Sequence, residues 1–271
     1  WISPAYEIIF VDDGSSDDTR AILHTITAND MKAIGICHSR NFGSQAAFRS
    51  GMELAKGDAC VLMDGDLQDP PELIGAFYQK WKEGFDIVYG TRRSRDEAFP
   101  LQLLRKIFYR LFRWSSDVPI ALDAGDFGLL DRKAVQALLQ CAERDLFWRG
   151  LRAYVGFKQV GVPYHRPARP FGRSCNSFWK NIDWARRGLF SFGNRALRNY
   201  LVLSLALVLS CGFLLISQIT SLNTLILVAL LIQALGIGLI SDSVYRIFHE
   251  IKGRPLFIRD AIIQHGTTRR V

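Results

Sequence analysis

Three groups of carboxylates stand beside apolar runs. Asp12-Asp13 follows EIIFV, Asp64-Gly65-Asp66 follows ACVLM, and the Asp123–Asp126 cluster precedes FGLL. Acids gathered at one rim repel one another unless a cation or a donor-rich ligand sits among them. A hard divalent ion, Mg2+ or Mn2+, bound through carboxylate oxygens and bridging a diphosphate, resolves that repulsion. Taken singly, each motif is ordinary turn chemistry, because Asp-Gly is a common turn pair. Asp64-Gly65-Asp66 gains weight from its place at a strand end and from the Gln68-Asp69-Pro70 that follows. Gly65 lets a backbone approach a bulky diphosphate. Asp12 and Asp13 are suited to accepting hydrogen bonds from a base or a ribose.

The elements that must position these acids can be read from hydrophobic periodicity. Short apolar runs at 7–11, 33–37, 59–63 and 86–89 alternate with helical patterns at 17–28, 44–55 and 71–82, a βαβ rhythm that predicts an α/β domain with a mostly parallel sheet. Pro71 suits a first helical position. Further strands are expected at 127–130 and 157–162, with helices at 101–114 and 132–141. Ligands of open α/β sheets bind beyond the carboxyl ends of the strands, where most of the acids lie.

A second region has a different character. No charged residue occurs from Asn199 to Ser241, which is room for two bilayer crossings of about 20 residues each. Spans are expected near 200–219 and 224–241, with a turn at 217–223. Arg186, Arg187, Arg195 and Arg198 precede the run, and Arg246, Lys252, Arg254 and Arg259 follow it. That placement puts both flanks on the cytoplasmic side. Residues 178–192 mix aromatic with basic side chains and read as a helix lying in the headgroup region. Lys and Arg number 34 against 26 Asp and Glu. With no nucleic-acid motif present, that excess is assigned to the membrane and to a phosphate-bearing substrate. The five cysteines show no metal-ligand spacing and read as reduced packing residues.

In order and spacing, EIIFVDDGSSDDT, HSRNFGSQAAFRSGMELAKGD, VLMDGDLQDPPELI, DIVYGTRRSR and DAGDFGLLDR resemble family 2 glycosyltransferases. Within these, the dolichyl-phosphate mannose synthase-like and bacterial polyisoprenyl-phosphate glucosyltransferase branch is most similar, and the likeness runs from about residue 6 to 260. It implies a GT-A type nucleotide-binding domain at 1–165. An acceptor loop and interfacial helix would follow at 166–198, a two-helix transmembrane hairpin at 199–247 and a cytoplasmic tail at 248–271. By the same resemblance Asp12, Asp13 and Asp64 contact the nucleotide, and Asp66 and Gln68 bind the metal. Arg93 meets the phosphates, Asp126 lines the sugar or acceptor site, and Arg169 holds the lipid phosphate. Two departures stand out. The family's opening strand and its Pro-x-Tyr-Asn-Glu segment are absent, so the chain reads as truncated at its start. The acceptor loop has Cys175 where a lysine is usual, leaving Arg173 to supply the charge.

The resemblance implies an inverting transfer of a hexose from a nucleotide-sugar to a polyisoprenyl phosphate, undecaprenyl or dolichyl. UDP-glucose is the expected donor, with GDP-mannose the other choice. The protein would be integral to a membrane, the bacterial inner membrane being favoured, with its catalytic domain cytoplasmic. Self-association is left open. The competing expectation is a truncated, catalytically impaired scaffold or subunit.

Overall fold

The computed structural model describes residues 5–92, 118–121, 124–165, 194–216 and 221–270. The chain forms two compact units. The first comprises Trp1–Glu97, Ala121–Cys175 and Arg254–Val271, and the second Ala98–Ile120 and Asn176–Gly253.

The first unit begins with the expected alternation: β1 (Ile8–Asp12), α1 (Thr19–Asn29), β2 (Ala33–His38), α2 (Ser44–Leu54), β3 (Ala59–Leu62), α3 (Leu73–Lys82) and β4 (Ile87–Arg92). It continues through β5 (Ala124–Asp131), α4 (Arg132–Gln140), α5 (Trp148–Val155) and β6 (Gln159–Tyr164). Asp131 ends β5 and caps α4, accepting from Lys133 N at 2.9 Å. Its other carboxylate oxygen accepts from Trp81 Nε1 at 2.8 Å, tying α3 to the same corner.

The sheets are mixed, not mostly parallel. Two four-stranded sheets run in the orders β1-β2-β7-β8 and β3-β5-β4-β6, where β7 is Arg259–Gln264 and β8 is Thr267–Arg270. Only the β1/β2 and β4/β6 pairs are parallel among the described strands. β5 runs antiparallel to both β3 and β4, with Cys60 beside Leu130 and Val88 beside Leu129. An apolar run reports burial on both faces but carries no sign of direction, so β5 and a parallel strand look alike in sequence. The segment read as a C-terminal tail is likewise part of the fold. β7 pairs antiparallel with β2, Ile36 lying beside Ile262, and it buries Ala261 and Ile263 against Leu23 and Cys37. The second sheet packs Phe77 of α3 against Val88, Phe127, Leu129 and Tyr164.

The second unit contains two long helices, α6 (Asn194–Ile216) and α7 (Leu222–Ile251). Tyr200 of α6 donates its hydroxyl to Ile232 O at 2.9 Å. Its ring lies against Gly236, where any β-carbon would collide with it. Ser221 caps α7. The expectation of two spans is only partly matched. Among the described residues, α7 alone is long and apolar enough to cross a bilayer, and the apolar stretch in α6 is the shorter Ser204–Leu214. The helices expected at 101–114 and 178–192 lie outside the described residues.

Candidate functional site

Asp12 ends β1, nearly buried, and accepts from Ser15 N at 3.0 Å, closing the Asp12–Ser15 turn. Gly14 is required there for two reasons. Its φ is +74°, and a β-carbon would strike the backbone of Arg40. The turn therefore packs on the stretch from Arg40 to Gly43 that leads into α2.

Asp13 holds that stretch in place. One oxygen accepts from Phe42 N at 2.9 Å and from His38 Nδ1 at 2.8 Å, and the other accepts from Gly43 N at 2.6 Å. His38 is buried, stacked on Phe257 with ring centroids 5.2 Å apart and edge-on to Phe42 at 5.7 Å. Sequence reasoning paired Asp13 with Asp12 as nucleotide contacts. The structure gives Asp13 three donors from its own chain, so its geometry serves to fix the start of α2.

Asp64 and Asp66 follow β3 in a turn. Asp66 Oδ1 accepts from Gln68 N at 3.1 Å, Leu67 between them has a φ of +59°, and the space beside Gly65 is open. Asp69 next to this turn is buried and accepts from Tyr164 Oη at 2.9 Å. Burial, and after it the charge of Asp69, push the Tyr164 hydroxyl above the usual tyrosine range. The Asp64–Gln68 turn is thus anchored to β6. The oxygens of Asp66 and Gln68 have the hard-donor chemistry that Mg2+ or Mn2+ takes. Among the described residues no group of three or more His, Cys, Asp or Glu side chains converges. Asp66 and Gln68 are the side chains that would hold such an ion.

Asp126, the third residue of β5, lies in a cluster that the sequence did not reveal. Gln45 Nε2 donates to one of its oxygens at 3.1 Å, and Arg149 Nε of α5 approaches the other at 3.4 Å. Gln45 Oε1 accepts from Trp148 N at 3.0 Å, and the Trp148 indole donates to Gln45 O at 2.8 Å. Behind them Arg152 is buried, with its guanidinium 4.1 Å from the centre of the Tyr89 ring and one nitrogen 3.2 Å from Gly125 O. Burial lowers Arg152 to about 10, opposed by the charge of Asp126. Gln45, Trp148, Arg149 and Arg152 are residues that sequence reasoning missed. The one available signal was DLFWRGLR, which places two arginines three apart and therefore on one helix face. Arg93, Asp123, Arg169, Arg173 and Cys175 lie outside the described residues.

An α/β unit with acids at the ends of β1 and β3 stands in one chain with a unit of long apolar helices. Residues 2–139 match the model for glycosyl transferase family 2. An uncharacterized glycosyltransferase of Synechocystis sp. is 38% identical over 93% of this chain and 84% of its own length. The uncharacterized glycosyltransferase YkcC of Bacillus subtilis is 38% identical over 93% of this chain and 83% of its own. The SfII prophage-derived bactoprenol glucosyl transferase of Shigella flexneri is 34% identical over 93% and 86%. The chain belongs to glycosyl transferase family 2 and is a glycosyltransferase.

Proposed function

We propose that this chain transfers glucose from UDP-glucose to a polyisoprenyl phosphate such as undecaprenyl phosphate, at the cytoplasmic face of a membrane. One observation carries the reading: a single chain joins strand-end acids to α7, a helix whose large apolar side chains stand uncovered by protein. An isoprenoid acceptor stays in the bilayer, so its enzyme must work at headgroup level. The relative named as a bactoprenol glucosyl transferase supports both the acceptor class and the sugar.

The acceptor sets what the site must do. The second pKa of a phosphate monoester is about 6, so the acceptor is largely dianionic at neutral pH. Its oxygen attacks the anomeric carbon without a strong base, inverting that centre as the C–O bond to the nucleoside diphosphate breaks. What remains is to stabilise the departing diphosphate and to orient two like-charged reactants. Asp66 and Gln68 would hold a divalent ion, which would supply positive charge to that leaving group. In this reading Asp12 and Asp64 face the nucleotide, while Arg93, Arg169 and Arg173 supply positive charge to the phosphates. Asp126, held from both sides by Gln45 and Arg149, orients the sugar or the acceptor. The basic residues flanking the apolar run favour a cytoplasmic catalytic unit.

The test is a membrane assay with labelled UDP-glucose, undecaprenyl phosphate and Mg2+ or Mn2+, following label into the organic phase. Transfer is expected to stop with EDTA and to fall about 100- to 1,000-fold in Asp66→Ala, the scale for loss of one charge-stabilising group. If lipid-linked sugar fails to form with UDP-glucose, GDP-mannose or other nucleotide-sugars, the lipid-phosphate reading is wrong and a scaffold role replaces it.

A further inference from the structure

Gln45 makes more contacts than a surface glutamine near the start of a helix requires. It lies two residues past Gly43, whose N–H is held by Asp13, so its position is inherited from the end of β1. Its side-chain oxygen caps α5 through Trp148 N, its main-chain oxygen takes the Trp148 indole N–H, and its amide nitrogen faces Asp126. These contacts fix which way the amide points. Rotating it by half a turn would set NH2 against the Trp148 N–H, donor to donor, and place the amide oxygen against the Asp126 carboxylate. Both ends of the amide oppose the flip.

We propose that Gln45 is a positioning residue of the transfer reaction: through its fixed amide it orients Asp126 and couples that carboxylate to the Asp13-held start of α2. The inference rests on Asp126 acting in sugar transfer as set out above. With Gln45 on one oxygen and Arg149 on the other, Asp126 has one available orientation, and a turn of its side chain would forfeit both contacts. A group aimed at a reacting centre must hold its direction, and a small misplacement lowers turnover more than binding. The linkage also joins two elements that sequence places far apart, because Gln45 belongs to α2 and Trp148 and Arg149 to α5. The Asp12–Gly14 turn, the start of α2 and Asp126 thereby form one connected set.

Gln45→Glu separates the two jobs of the side chain. One carboxylate oxygen can still accept from Trp148 N, so the α5 cap persists. The other oxygen now faces Asp126 and repels it. At lower pH the introduced carboxyl takes up a proton and donates to Asp126 again, because a facing carboxylate favours protonation of its neighbour. The charged groups around this pair are Arg149 and the buried Arg152 of α5, while Arg49, one turn along α2, is taken up by Leu139 O, Cys141 O and Glu53. Gln45→Met removes both jobs and offers no proton-dependent recovery.

The experiment measures kcat and donor KM from pH 6 to 8.5 for the wild type, Gln45→Glu, Gln45→Met and Asp126→Asn in membranes, together with thermal midpoints. At pH 8 Gln45→Glu is expected to lose about 10- to 100-fold in kcat, the worth of one hydrogen bond to a charged group. Its donor KM should stay near the wild-type value, and the deficit should shrink towards pH 6. Gln45→Met should lose kcat at every pH. A Gln45→Glu enzyme with wild-type kcat and pH profile overturns the inference alone. So do equal, pH-independent losses in both variants with matching falls in thermal midpoint, which mark a merely structural side chain. A wild type that makes no lipid-linked sugar, or an Asp126→Asn enzyme with full activity, overturns the underlying reading and this inference with it.

Discussion

Phe77 and Phe213 are the same residue in two different solvents. Phe77 is 0% exposed in the α/β unit, its ring 4.9 Å from that of Phe127. Phe213 on α6 is 67% exposed, as are comparable fractions of Leu205, Val208, Leu209, Leu231 and Leu235. In the first unit, apolar side chains are removed from water by other side chains. In the helical region they are laid out along two helices that meet at Tyr200 and Gly236 but leave the side chains just named largely exposed. Water does not tolerate an uncovered apolar patch of that extent on a monomer. The difference teaches that the apolar side chains of the two regions meet different surroundings, and the proposed membrane role predicts that each region can be damaged without the other.

The largest break in that contrast is expected from charge on α7. Leu227 and Leu231 are both exposed and lie one turn apart, and an arginine near the centre of a spanning helix costs about 2.5–3.5 kcal/mol. The pair Leu227→Arg and Leu231→Arg should move the chain out of the carbonate-resistant membrane fraction. Retention at the wild-type level would mean that α7 meets no bilayer. Next in size is a matched pair of truncations. Phe77→Ala should destabilise the α/β unit by about 3–5 kcal/mol, read as a fall in thermal midpoint or as new proteolytic cleavage in the sheet. Phe213→Ala removes the same ring at a position that is 67% exposed. Its effect in detergent should stay within about 0.5 kcal/mol, as for exposed positions generally. Similar losses from both would dissolve the distinction.

The smallest effect is chemical. Burial pushes the Cys60 thiol up to about 11, with Arg132 opposing and Glu7 adding to the shift. Because the folded value lies above the ordinary 9.0, the neutral thiol persists through pH 9 in the native state, while an unfolded chain would already have begun to ionise. Alkylation of Cys60 should therefore be slow at pH 8.5 and rise only on denaturation. The associated stability is complete below pH 9 and is lost as pH climbs towards 11. Fast native alkylation would place Cys60 in a looser setting than β3 provides.

Much of the first unit was legible because its signals are local. EIIFV, AIGIC and ACVLM announce strands by composition, and acids after two of them mark the ends where ligands bind. The direction of β5 was not legible, because burial on both faces reads alike in either sense. β7 was hidden for another reason. RDAIIQ alternates correctly, with Ala261 and Ile263 inward, but it follows a long apolar run and was assigned to a tail. Asp126 was legible as an acid beside a strand, whereas Gln45 and Arg149 were not, since their meeting depends on α2 and α5 packing against β5. The surroundings of Asp13 were hidden for the same reason. Its neighbour Gly14 shows in sequence, but its three donors come from residues 38, 42 and 43, brought back only by β2 and the bend after it.

The pairing of β2 with β7 has a consequence for the order of assembly. Ile36 meets Ile262 across the sheet, yet everything between them must be synthesised first. At about 5–20 residues per second, translation of that interval takes roughly 11 to 45 seconds. Through that time β2 has an unpaired edge, while the apolar helices emerge from the ribosome ahead of the strand that completes the sheet. In the membrane reading proposed above, delivery to the bilayer would begin before the catalytic half can finish folding. A nascent chain arrested ahead of Arg259 would carry both α6 and α7 and an open sheet.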